Sequence, residues 1–206
     1  MDLEGLLAAA TLLFFIFDPF ASLPMFLTLT KEQNEQQKVA SANRAILVAS
    51  LLFLIFAIIG QPILDLFGIT GDGFRIAGGI VLLMMAIEVV FGVSFSKQGD
   101  SNVAWVIVAT PILTGPGVIT TAILLVGRYD IFTVLIAGFF ALMITWILLR
   151  NAVWVVRRLG TNTIDIFSKV MGLLIAAVGV EYIMSGAIDY INTYIPAVAI
   201  HLPSLI

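Results

Sequence analysis

Residues 103–126 and 131–149 contain no charged side chain. Each run is about as long as the 20 or so residues a helix needs to cross the hydrocarbon of a bilayer. In lipid, backbone polar groups must be satisfied within the segment, so such runs are read as helices. Three more runs follow the same rule. Residues 45–59 are uncharged and extend toward Phe67 across Gln61-Pro62, 76–95 carry only Glu88, and 170–187 carry only Glu181. A sixth begins at Leu6, is apolar to Phe17, and there meets Asp18-Pro19. Only 11% of the 206 residues are charged, against about 25% in soluble domains, and the mean hydropathy is +1.12. The expected class is an all-α membrane protein with six transmembrane helices.

The interrupted first run spans only about 18 Å up to Phe17 at 1.5 Å per residue. It therefore needs the residues beyond Asp18 to cross. With Asp2 and Glu4 ahead of it and no Lys or Arg before Lys31, it does not read as a signal peptide. Its break has a partner. "DPFASLPMFLTLT" at 18–30 recurs in outline as "TPILTGPGVITTA" at 110–122, with Pro19 against Pro111, Pro24 against Pro116, Ser22 against Thr114 and Thr28 against Thr120, ninety-two residues on in every case. Gly68 and Gly160 keep that offset, and after one inserted residue Gly79 and Glu88 meet Gly172 and Glu181. Three spans per repeat is an odd number, so the second copy enters the membrane from the opposite side. The expected architecture is two inverted three-helix repeats, 1–95 and 103–190, followed by an interfacial tail at 191–206, with the first and fourth helices broken at mid-membrane. That organisation is common among secondary transporters.

Lys and Arg set the orientation. Lys31, Lys38, Arg44, Lys97, Arg150, Arg157, Arg158 and Lys169 fall in or beside the connections after spans one, three and five, and only Arg75 and Arg128 fall on the other side. This bias places the odd-numbered loops in the cytoplasm and both termini outside, in the inner (plasma) membrane. Residues 31–44 read as a solvated extension of the first span.

Asp-Pro and Thr-Pro read as helix starts, with Asp18 as N-cap and Pro19 or Pro111 giving up a donor that would be orphaned anyway. Pro24, Gly115, Pro116 and Gly117 weaken the following turns, with a plain proline kink or a re-entrant hairpin as the alternatives to a broken helix. Unwound backbone at this depth requires burial or a wet cavity. Two facing helix N-termini present free N–H groups and positive dipole ends, which suits a carboxylate-bearing solute. The candidate substrate-binding residues are Asp18, Pro19, Ser22, Pro24, Thr28, Thr110, Pro111, Thr114, Gly115, Gly117 and Thr120, with Thr121 as a further hydroxyl. A zwitterion would place its carboxylate on the N–H groups at 22–24 and 114–117 and its ammonium on Asp18 or on unwound carbonyls. The ion-coupling candidates are the intramembrane acids Asp18, Glu88 and Glu181. Gly78, Gly79 and Gly172 permit close helix packing, with the broken first spans as the expected neighbours. Arg75 and Lys169 read as snorkelling to lipid headgroups, "TGDG" at 70–73 as a loop turn, and His201 as part of the interfacial tail.

Nothing points to an enzyme. There is no cysteine, one histidine, and no phosphate-cradling loop, and no cofactor, metal or nucleic acid is expected.

"DPFASLPMFLTLT", "FRIAGGIVLLMMAIEV" and "TPILTGPGVITTAI", in this order and spacing, resemble the MarC family, whose members are also described as SnatA-like transporters of small neutral amino acids. The resemblance runs from the first residues to about residue 190. It implies a carrier for glycine, alanine and similar amino acids driven by a proton or sodium gradient, and a kinship with exporters of the LysE type that leaves direction open. A passive channel or an exporter of metal or toxic ions is the alternative. Homo-oligomerisation is compatible with either.

Overall fold

A computed structural model describes residues 3–92 and 115–194. Among them every regular element is a helix: α1 (Leu3–Phe17), α2 (Pro19–Leu29), α3 (Glu35–Leu66), α4 (Gly71–Phe91), α5 (Pro116–Arg128), α6 (Ile131–Arg150), α7 (Ala152–Leu159) and α8 (Thr161–Tyr194).

Five segments are long and apolar enough to cross a membrane: Leu3–Leu29 (α1 with α2), α3, α4, α6 and α8. The shorter apolar helix α5 is the end of the expected run 103–126. The rest of that run, with Thr110, Pro111 and Thr114, lies outside the described residues, as do Lys97, His201 and the tail beyond Tyr194. The spanning helices are hydrophobic on both faces. Leu47, Leu51, Leu54 and Ile58 on α3 and Phe139, Phe140 and Ile147 on α6 are exposed, which in a bilayer makes them the lipid-facing surface. Leu13, Ile16 and Phe17 on α1, and Leu23 and Phe26 on α2, form the middle of the core.

Local chemistry explains the boundaries and changes several expectations. Residues 35–44 extend the second span, not the first, and 31–34 form the turn before it. Asn34 and Gln37 form a reciprocal capping box (Gln37 N–H to Asn34 Oδ1, 2.9 Å; Asn34 N–H to Gln37 Oε1, 3.0 Å), which starts α3 at Glu35. Its 32 residues reach about 48 Å, well beyond the 30 Å of hydrocarbon, so the polar first turns stand outside. "TGDG" is a helix start, not a loop turn. Thr70 Oγ1 accepts from Gly73 N–H at 3.2 Å and caps α4. Gly68 and Gly160, which end α3 and α7, both take positive φ (65° and 78°), where a side chain would be strained. Arg75 is not a free snorkelling cation, because it pairs with Asp189 at 2.6 Å and ties the start of α4 to the end of α8. Lys169 pairs with Asp165 one turn back on α8.

The most extensive helix contact is α4 on α8, the two third spans. Gly79 and Gly172 therefore serve that contact instead of packing on the broken first spans. A Cβ at Gly79 would lie 2.5 Å from the Gly179 carbonyl oxygen and 2.7 Å from Ile183 Cγ1, and one at Gly172 would lie 2.8 Å from Val90 Cγ2. Gly78 faces α5, where Thr120 occupies the place of its missing side chain. Around this pair, α1 packs on α6, α3 on α5 and α6, α4 on α5, and α2 on α6, α7 and α8.

The helix ends sort into two groups. Phe26 and Leu27 of α2, Glu35 and Lys38 of α3, and Leu149, Arg150 and Arg157 share one cleft. Ala8 of α1, Arg128 of α5 and Glu181 of α8 share another, on the side where Arg75 meets Asp189.

Candidate functional site

The first span breaks at one residue. Asp18 has φ 37° and ψ 68°, the only positive φ outside glycine among the described residues. An L-residue pays for this left-handed conformation, and Asp tolerates it because its short polar side chain bonds locally. Here it does: Asp18 Oδ1 accepts from Ala21 N–H at 3.1 Å. Pro19 at N1 then starts α2 without wasting a donor. The Asp18 carbonyl accepts from Ser22 N–H at 3.2 Å and from Ser22 Oγ at 2.9 Å.

The discontinuity is thus narrower than the expected 18–24. Pro24 lies inside the helix α2. Its missing N–H removes one rung and does not unwind the chain, because the turns on either side remain bonded. The proposed carboxylate seat at 22–24 also fails. Ser22 N–H is occupied, Pro24 has none, and the positive end of α2 is already met by the Asp18 carboxylate. An incoming carboxylate there would face like charge.

What the break leaves open is an acceptor. Asp18 is 5% exposed, and its Oδ2 is buried without a hydrogen-bond partner. The Ser168 side chain of α8 approaches the carboxylate, and Phe20 stacks on Phe167 beside it, ring centroids 5.3 Å apart. A buried acceptor left unsatisfied costs about 1–3 kcal/mol, more when charged, so this atom is suited to a cation or an N–H donor.

The other candidates divide. Ser22 and Pro19 are buried with Asp18, whereas Pro24 and Thr28 are on an exposed face of α2, with Thr28 Oγ1 bonded back to the Pro24 carbonyl at 2.9 Å. Gly115 is the N-cap of α5. Gly117 packs against Leu82 and Met85 of α4, and Thr120 against Gly78, so both face the third span. Glu88 is half-buried and Glu181 exposed. Thr121 is fully buried and its Oγ1 has no partner. Ser168 was not legible in the sequence: it approaches Asp18 only through the packing of α2 on α8, and no local pattern announces that.

Thr121→Val is expected to leave stability unchanged or raise it by up to about 1 kcal/mol, since it removes an unsatisfied hydroxyl at constant shape. Thermal unfolding in detergent checks this, and a clear loss of stability would mean that the hydroxyl is bonded.

These features define a polytopic α-helical membrane protein whose first span is interrupted at a buried carboxylate. The family model described as MarC family integral membrane protein matches residues 3–191, and the chain belongs to that family. It is 34% identical to the UPF0056 membrane protein MJ1677 of Methanocaldococcus jannaschii, over 90% of this chain and 97% of that one. It is 33% identical to the UPF0056 membrane protein YhcE of Escherichia coli, over 84% and 87%. No solved structure matches.

Proposed function

We propose that the chain is a secondary active transporter of small neutral amino acids, coupled to protons or sodium and built of two inverted three-span repeats in the inner membrane, both termini outside. The observation that carries the proposal is the Asp18 carboxylate at the break of the first span, with one oxygen holding the helix start and the other buried and unpartnered. In this reading Asp18 receives the substrate ammonium or the coupling ion, with Ser168 beside it and Thr121 as a further open hydroxyl. The substrate carboxylate binds elsewhere than at the capped start of α2.

The repeat reading is supported by reciprocal contacts. Gly79 meets Ile183, and Gly172 meets Val90, so that each residue of one pair lies ninety-three positions from its counterpart in the other. That is what a two-fold axis between α4 and α8 generates. The packing of α2 on α6 is answered by α3 on α5, and that of α2 on α8 by α4 on α5. The basic residues Lys38, Arg150 and Arg157 share one cleft, in keeping with a cytoplasmic face there.

The same unpartnered oxygen also suits a bare cation, which keeps an ion exporter or channel as the second reading. The test is uptake of labelled glycine, alanine and serine into proteoliposomes under an imposed pH or sodium gradient. Accumulation that collapses with one of the two gradients supports the carrier and names its ion. Cation flux without amino acid uptake supports the second reading.

A further inference from the structure

We infer that the cavity between α1, α5 and α8 is a second substrate site, a vestibule that receives the amino acid as a zwitterion before it reaches Asp18. The inference rests on the transporter reading above.

The cavity has a volume of about 350 Å³, within the range of small-molecule sites. Its walls are small or apolar, with Ala8 and Leu12 from α1 and Leu125 from α5, and its polar groups are Arg128, Tyr129, Glu181 and Tyr182. The charges are one of each sign. Among the described residues neither Arg128 nor Glu181 takes part in an ion pair. Arg128 rests instead against the Tyr129 ring, 5.6 Å from its centroid. A guanidinium presents a planar fork that matches a carboxylate, and Glu181 accepts from an ammonium. A ligand with both groups on one carbon meets the two without stranding either. The apolar wall leaves room for a small side chain.

Two buried polar atoms lie deeper along helices that line the cavity. Thr121, with its unpartnered Oγ1, lies one turn before Leu125 on α5, about 6 Å along the helix. Asp18 lies six residues beyond Leu12, about 9 Å further in along the first span. A solute in the cavity is therefore within two helical turns of both orphaned groups. Glu181 on this reading is a substrate-recognition residue at the entrance, and not a coupling acid.

The chain has no cysteine, so an Ala8→Cys variant offers one thiol to a membrane-impermeant methanethiosulfonate. Saturating alanine is expected to slow its modification severalfold, while lactate and ethylamine, each lacking one of the two charges, are not. Arg128→Gln and Glu181→Gln are each expected to raise the KM for alanine about tenfold, the effect of losing one charge-assisted hydrogen bond, with Vmax retained. Alanine transport by the wild type with no protection of the thiol and unchanged KM in both variants overturns the vestibule alone. Absence of any amino acid transport or protection overturns the vestibule together with the transporter reading. Protection by phosphatidylethanolamine in the vesicles but not by alanine overturns it in favour of a lipid headgroup seat.

Discussion

Asp18→Asn should lower gradient-driven alanine uptake by about a hundredfold or more while leaving a folded, membrane-inserted protein. Asn retains the left-handed conformation that Asp18 adopts and still accepts from Ala21 N–H, so the cap and the break survive. What it loses is the charge of a buried carboxylate whose Oδ2 makes no hydrogen bond, with the Ser168 side chain beside it. A buried charge pair broken on one side costs about 3–5 kcal/mol, which corresponds to at least two decades of affinity or rate. If exchange persists while gradient-driven uptake is lost, Asp18 carries the coupling ion. If both are lost, it holds the ammonium. Wild-type rates in both assays would reduce Asp18 to a helix cap. Asp18→Ala is expected to do worse than Asn, because it also removes the cap, at about 1 kcal/mol.

The second large effect is structural. Gly79→Val is expected to destabilise the protein by about 3 kcal/mol or more, at or above the upper end of ordinary overpacking. Its Cβ would press on the Gly179 carbonyl oxygen and lie 3.0 Å from Ile183 N. Backbone atoms cannot rotate away, so α4 and α8 would have to separate along their main contact. Gly172→Val is the internal comparison. Its Cβ would meet the side chains of Val90 and Val89 at 2.8 and 3.1 Å, which can give by small adjustments, so its cost should be smaller. Unfolding midpoints in detergent for the two variants give the ranking. Equal midpoints for Gly79→Val and wild type would contradict the close approach of the two helices.

The class of fold was legible because uncharged runs of membrane length leave few alternatives, and the break at Asp18 because Asp-Pro combines a cap with a residue that needs no donor. Pro24 was misjudged for a physical reason. A proline six residues into a helix deletes one hydrogen bond, and neighbouring turns hold the rest together. The boundary at 31–44 turned on a capping box between Asn34 and Gln37, a local signal that was present in the sequence and outweighed by the apolar run before it. "TGDG" concealed a helix start in the same way, with Thr70 as its cap. The links that make a site or a lock are another matter. Ser168 beside Asp18, Arg75 on Asp189 and the Arg128–Glu181 cavity join residues far apart in the chain, and the packing of α8 against α1, α2 and α4 brings them together. The sequence offset that matches Gly79 with Gly172 picked out residues of a close helix contact but not their neighbours, since an offset carries equivalence and not contact.

A carrier for a small zwitterion exchanges its solute through one saturable site, and alanine counterflow reads that exchange. Proteoliposomes loaded with unlabelled alanine and diluted into a trace of labelled alanine should show a transient internal accumulation of label, with no ion gradient imposed, and Asp18→Asn should alter it. Label that only equilibrates, at a rate indifferent to the internal alanine, would contradict the account and leave a channel or an ion exporter in its place.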